Sequence, residues 1–211
     1  MSMPRDHAGD EGGDEGPLPT LDARDGAVID IIKKERLSQF SFDGLRRRTG
    51  LHQETLSRIL DRLEGEGLLS KSSQGYSVTE HLEDGVEMSG DPHLASIPLL
   101  QTLLPDDVEL PQVTSALRGR WFGRMRWLGM SLEGETAVLK WISEDAGIQV
   151  DAAFSPGQLE VAAVVKEGWK LTDAVKASYE LMGHLTRVFA RLNPRRRVAL
   201  FDLVGERHFP N

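Results

Sequence analysis

FDGLRRRTGLHQETLSRILDRLEGEGLLSK, residues 42 to 71, carries the plainest periodic signal in the chain. Leu56, Ile59, Leu60 and Leu63 stand at i, i+3, i+4 and i+7 with polar residues between them, which predicts a helix buried along one stripe. It ends at Gly65 or Gly67, where a residue without Cβ tolerates the turn out of the helix. Upstream, Ser41 is an N-cap for a short helix that opens Phe42-Asp43-Gly44-Leu45, because a serine hydroxyl accepts from the orphan amides of a first turn. Thr49-Gly50 stops that helix.

Working outward, Asp22 caps a preceding helix that runs to about Arg36, with Asp25 in its first turn and Val28, Ile31 and Ile32 at helical spacing. Downstream, Leu68-Leu69-Ser70-Lys71 and Tyr76-Ser77-Val78-Thr79 flank Ser72-Ser73-Gln74-Gly75, a small polar hairpin with glycine at its turn. Three helices and a hairpin thus fill residues 21–80.

The run Thr49-Gly50-Leu51, then Thr55-Leu56-Ser57-Arg58, then Leu60, Leu63, Gly67 and Leu68, resembles the turn, recognition helix and entry to the wing of the winged helix-turn-helix family, in the style of MarR, ArsR and Lrp regulators. The resemblance spans Asp22 to Glu80, a little over a quarter of the chain. It implies a sequence-specific DNA-binding transcriptional regulator whose recognition helix enters the major groove, while the wing and the preceding helix touch phosphates. Carried over by position, Gln53, Thr55, Ser57 and Arg58 would lie near bases. Arg46, Arg47, Arg48, Arg62, Lys71 and Ser73 would be the phosphate contacts. Arg58 points away from the apolar stripe and is the leading single contact. Two features depart from the pattern. His52 stands where the family usually carries a good N-cap, and Glu54 and Asp61 point outward, where carboxylates cost affinity unless they pair with arginine or accept from cytosine. The alternative reading is a winged-helix protein-interaction factor of the transcription or replication machinery.

Beyond residue 80 the chain changes character. Residues 81–112 are acidic and broken by Pro92, Pro98, Pro105 and Pro111, with Leu94, Ile97, Leu99, Leu100, Leu103 and Leu104 predicting a short apolar helix inside a linker. A period of two then predicts strands at about 115–131 (long enough to be split at Gly123), 135–143, 147–154 and 158–166, an antiparallel meander. A long helix follows, capped by Thr172, with Val175, Tyr179, Met182, Leu185 and Phe189 on one stripe and Asn193-Pro194 at its end. Val198 to Val204 supplies a last strand. The expected class is α+β: an N-terminal winged helix, three helices plus a β-hairpin, joined to a C-terminal antiparallel sheet packed with one long helix. Its parts are a disordered acidic tail at 1–20, a DNA-binding domain at 21–80, the linker at 81–112 and a sensing or dimerisation domain at 113–211.

The apolar runs at 94–104 and 172–192 suggest a homodimer, and Trp121, Trp127, Trp141 and Trp169 suggest either core filling or a pocket for a small-molecule effector. Arg118, Arg120, Arg124 and Arg126 read either as a solvated sheet face or as a basic face for nucleic acid or an anionic ligand. The net charge of −8 is uneven: residues 1–21 hold five acids and one base and residues 81–112 seven acids and no base, leaving the two remaining segments neutral or mildly basic. That distribution suits double-stranded DNA as partner. With no cysteine, disulfides, thiolate metal sites and cysteine nucleophiles are excluded, and the histidines at 7, 52, 81, 93, 184 and 208 show no short metal-ligand spacing. No phosphate-loop, dinucleotide, zinc-protease or serine-hydrolase motif occurs, so neither an enzyme nor a cofactor is expected. The absence of a signal-like N-terminus and of any long apolar run leads to the expectation of a cytoplasmic protein without membrane contact.

Overall fold

The computed structural model describes residues 23–83, 96–104 and 109–192. The expected tail at 1–20, the cap at Asp22 and the strand at 198–204 lie outside them. The chain is mixed α+β. Helices α1 (Ala23–Lys34), α2 (Phe42–Thr49) and α3 (Gln53–Gly65) precede strands β2 (Leu69–Ser72) and β3 (Gly75–Val78), and a two-residue strand β1 (Gln39–Phe40) lies between α1 and α2. A single turn, α4 (Glu80–Glu83), follows. The later elements are β4 (Ile97–Leu103), α5 (Leu110–Leu117), β5 (Met125–Glu133), β6 (Thr136–Ser143), β7 (Ile148–Ser155), β8 (Gln158–Val165) and α6 (Leu171–Leu192).

All eight strands form one antiparallel sheet in the order β2-β3-β1-β5-β6-β7-β8-β4. The sheet therefore crosses the expected domain boundary without a break. β1 makes the junction: Phe40 pairs with Tyr76 on one side and Gly129 on the other. Periodicity identifies strands one at a time and carries no information about which distant strand pairs with which, so this junction was not foreseen.

Alternation along the strands divides the core into two layers. On one face Leu128 and Ile142 join Val28, Ile32, Phe40, Leu45, Leu56, Leu60 and Leu63 beneath α1–α3. On the other, Trp127, Leu139, Trp141, Val150 and Phe154 pack under α5 and α6 through Val113, Leu117, Leu181 and Leu185. Trp127 and Trp141 meet edge to face at 5.5 Å and fill this layer, so they serve the core.

Three expectations need correction. The apolar run at 94–104 forms strand β4 over Ile97–Leu103, not a helix. Pro98 removes a donor, and an edge strand paired on one side only tolerates that loss, here beside a register shift between Pro98 and Leu100. The buried stripe of α6 is Ala174, Ala177, Ser178, Leu181, Leu185, Val188 and Phe189, which leaves Val175 and Tyr179 exposed. The two stripes share Leu185 and Phe189 but are centred roughly 80° apart around the helix at 100° per residue, because apolar spacing does not fix which side of the helix meets the sheet. The strand expected at 115–131 is divided: α5 ends at Leu117, Gly123 adopts φ 49°, and β5 begins at Met125.

Candidate nucleic-acid interface

Local chemistry sets the angle between α2 and α3. The Ser41 hydroxyl accepts from the Gly44 amide at 3.1 Å and donates to the Trp127 carbonyl at 3.0 Å, capping α2 and tying it to β5 together. Gly50 ends α2 in the left-handed region (φ 69°) with its amide on the Arg46 carbonyl, a conformation other residues rarely adopt. α3 then starts after His52, whose side chain makes no capping bond. Leu56, Ile59, Leu60 and Leu63 face the core, while Gln53, Glu54, Arg58, Asp61 and Arg62 are exposed and Thr55 and Ser57 half-buried. β2, the edge strand of the sheet, runs beside α3 and presents Ser70, Lys71 and Ser72, with Ser73 and Gln74 at the hairpin turn.

The ten residues expected at the site fall into two groups. Arg46, Arg47, Gln53, Thr55, Ser57, Arg58, Lys71 and Ser73 lie on or near the outer surface of α2, α3 and the hairpin. Arg48 and Arg62 have structural work. Arg48 turns inward, its Nε donating to Glu35 at 2.7 Å, and only 24% of its side chain is exposed. Arg62 reaches Asp25 of α1 at 2.7 Å, a carboxylate with 2% of its side chain exposed, so it staples the end of α3 to the start of α1. Arg58 pairs along the helix with Glu54, and Arg46 with Asp43 at 3.2 Å, both in exposed positions where such pairs are worth little and exchange readily. The Lys71 ammonium lies 5.6 Å from the centre of the Tyr76 ring, and hydrogen bonding and charge attraction to Tyr76 raise its pKa above 10.5, so it stays cationic.

Three neighbours were not foreseen. Arg118, after α5, donates to the Gln74 side chain at 2.8 Å and ties the hairpin turn to the opposite layer. Glu144, in the β6–β7 turn, borders an open depression with Arg46, Arg47, Gly50 and Leu51. Glu144 is also the ion-pair partner of Arg126, whose guanidinium stacks on exposed Trp121. The arginine and tryptophan content of 118–127 signalled a surface of interest, but only pairing of β5 with β1 and β6 brings it beside α2.

Behind the interface, where α1 and α2 end on the sheet, Glu35 accepts from Arg48 and from the Gln149 amide at 2.9 Å, with Lys140 at 3.7 Å. Lys140 also meets Asp151 at 2.8 Å. Burial works to raise the Glu35 pKa, but Lys140, Arg48 and the Gln149 bond outweigh it and hold the carboxyl below 4.5. Burial pushes Asp151 the other way, upward.

Among the described residues no three histidine or carboxylate side chains converge as metal ligands, and no helix is long and apolar enough to cross a membrane. Comparison of the chain with family models, with curated proteins and with solved structures returns no match.

Proposed function

We propose that residues 23–78 are a winged helix and that the chain is a DNA-binding transcriptional regulator. The observation that supports this most is the juxtaposition of α3 and the edge hairpin. Both have their inner sides buried and their outer sides solvent-exposed, with Gln53, Thr55, Ser57 and Arg58 on the helix and Lys71 and Ser73 on the hairpin. A helix of this size fits a major groove while a hairpin beside it reaches the flanking phosphates. Arg58 and Lys71 are the principal cations of this surface, and Arg62 supports it from behind.

The test is fluorescence anisotropy on mixed-sequence duplexes between about 50 and 300 mM salt. Wild type is expected to bind with a steep log–log salt slope, and Arg58→Ala with Lys71→Ala to reduce that slope by about 2, near 0.9 per phosphate contact. Arg62 stays intact in this variant because its bond to Asp25 would confound affinity with stability. No binding at low salt by a folded protein would favour the alternative, a protein-docking winged helix. The carboxylates Glu54 and Asp61 on the outer face of α3 speak for that second reading.

The C-terminal layer supports two further parts of the proposal. Leu171, Val175 and Tyr179 form an exposed apolar stripe on α6, suited to a second copy of the chain and hence to two DNA half-sites. Light scattering is expected to give the dimer mass at micromolar concentration, and Tyr179→Glu the monomer mass. An effector would use the cavity of about 220 Å³ between the β6–β7 turn and α6, where Trp169 and Arg124 line the wall.

A further inference from the structure

Trp121, in the segment between α5 and β5, is 61% exposed, and it is not loose. The Arg126 guanidinium lies 4.7 Å from its ring centre. Arg126 is itself fixed: one nitrogen donates to the Gly123 and Met125 carbonyls at 3.0 and 3.3 Å, and the other pairs with Glu144. Both terminal nitrogens are thus held within the protein, so Arg126 positions the indole and leaves the other ring face free. Arg126 alternates with Met125 and Trp127, which belong to the layer under α5 and α6, so it projects on the α2 side of the sheet.

Glu144 connects this stack to α2. It borders the open depression of about 420 Å³ whose other walls are Arg46, Arg47, Gly50 and Leu51. Arg47 forms no ion pair with a described residue, while Arg46 holds only the exposed pair with Asp43. Glu144 thus links Arg47, across the depression, to the Arg126–Trp121 stack, and Arg47 and Gly50 flank the turn that leads into Gln53.

We propose that Arg47 and Trp121 form a second contact with the backbone of duplex DNA, outside the groove that α3 would read. This rests on the DNA-binding reading above. A phosphodiester strand presents anions and apolar sugar edges in succession, which matches a guanidinium and an indole face linked through Glu144. A strand leaving the groove at the start of α3 passes over this depression. The C-terminal unit thereby touches DNA through Trp121, and Arg126 and Glu144 are positioning residues.

The experiment measures binding of the full chain to a mixed-sequence duplex of about 24 base pairs across the same salt range. Arg47→Ala is expected to lower the salt slope by about 0.9, the loss of one phosphate contact. Trp121→Ala is expected to weaken binding about fivefold or more at every salt concentration with the slope unchanged, because it removes an uncharged contact, and Trp121→Phe to recover most of that loss. Arg187→Ala, on α6 across the sheet, is the charge control and should bind as wild type. Melting temperatures should stay constant, since neither Arg47 nor Trp121 belongs to the core. Wild-type binding with Arg47→Ala and Trp121→Ala both unchanged overturns this second contact and leaves the α3 reading standing. An equal loss in Arg187→Ala overturns the placement, and failure of wild type itself to bind at low salt overturns both.

Discussion

Gly44→Ala is expected to destabilise the chain by about 3 kcal/mol, seen as a lower urea midpoint. The sign is the opposite of the usual one for this substitution in a helix, where alanine gains about 1 kcal/mol over glycine. The reason is the approach of α2 to β5. A Cβ on Gly44 would stand 2.6 Å from the Leu128 Cα and 2.6 Å from the Trp127 carbonyl oxygen. Both are backbone atoms in the centre of the sheet and have no rotamer through which to yield, so α2 must lift. Lifting α2 strains the Ser41 bonds to Trp127 and Gly44 and opens the layer around Leu45, which is fully buried. Gly26→Ala in α1 is the internal control: nothing lies within 4 Å of its added Cβ, so it should stabilise by about 0.5 to 1 kcal/mol. A Gly44→Ala protein as stable as wild type would show that α2 does not rest on β5.

Glu35→Gln is expected to cost about 3 kcal/mol at neutral pH, the lower end for breaking a buried ion pair, because Arg48 keeps partial access to water. The amide retains the size of the side chain but leaves Arg48 without its carboxylate, and Lys140 with Asp151 alone. The pH dependence has a defined sign. Glu35 is held below its ordinary 4.5 in the folded chain, so its contribution is present above that value and is lost as pH falls through the lower folded pKa. The stability difference between wild type and Glu35→Gln should therefore be constant at neutral pH and shrink at pH values below about 4.5. Asp151, raised by burial and in smaller part by the Glu35 charge, shares Lys140 with Glu35, so its titration also contributes to the difference. A difference independent of pH down to 3 would assign the loss to packing and not to charge.

Where local chemistry suffices, the sequence alone specifies the structure. The stripe Leu56, Ile59, Leu60 and Leu63 is buried as its spacing predicts, Gly50 is left-handed, and the strands expected at 135–143, 147–154 and 158–166 occur at 136–143, 148–155 and 158–165. Elsewhere two patterns competed. Leu99, Leu100, Leu103 and Leu104 are as compatible with a helix as with a strand, and the free edge of β8 decided the matter by supplying hydrogen-bond partners. Val175 and Tyr179 were assigned to the buried stripe of α6 because apolar character alone cannot say which side of a helix meets the sheet.

The same division runs through the candidate interface. Residue type and position placed Arg58 and Lys71 outward, since a side chain opposite an apolar stripe, or on the polar side of a hairpin, has nowhere else to go. Arg46, Arg47 and Arg48 looked equivalent in sequence; the third is withdrawn because Glu35, thirteen residues earlier, is buried within reach and cannot stay charged there unpaired. Trp121 and Arg126 acquired their place beside α2 only through the pairing of β5 with β1 and β6. Sequence by itself determined the helices α1–α3 and α6, the hairpin, the strands β6–β8 and the buried side of α3, because those follow from spacings of a few residues. Tertiary structure alone decided the union of two expected domains in one sheet, the partner of each charge and the neighbours of each exposed aromatic, because those depend on contacts between residues far apart along the chain.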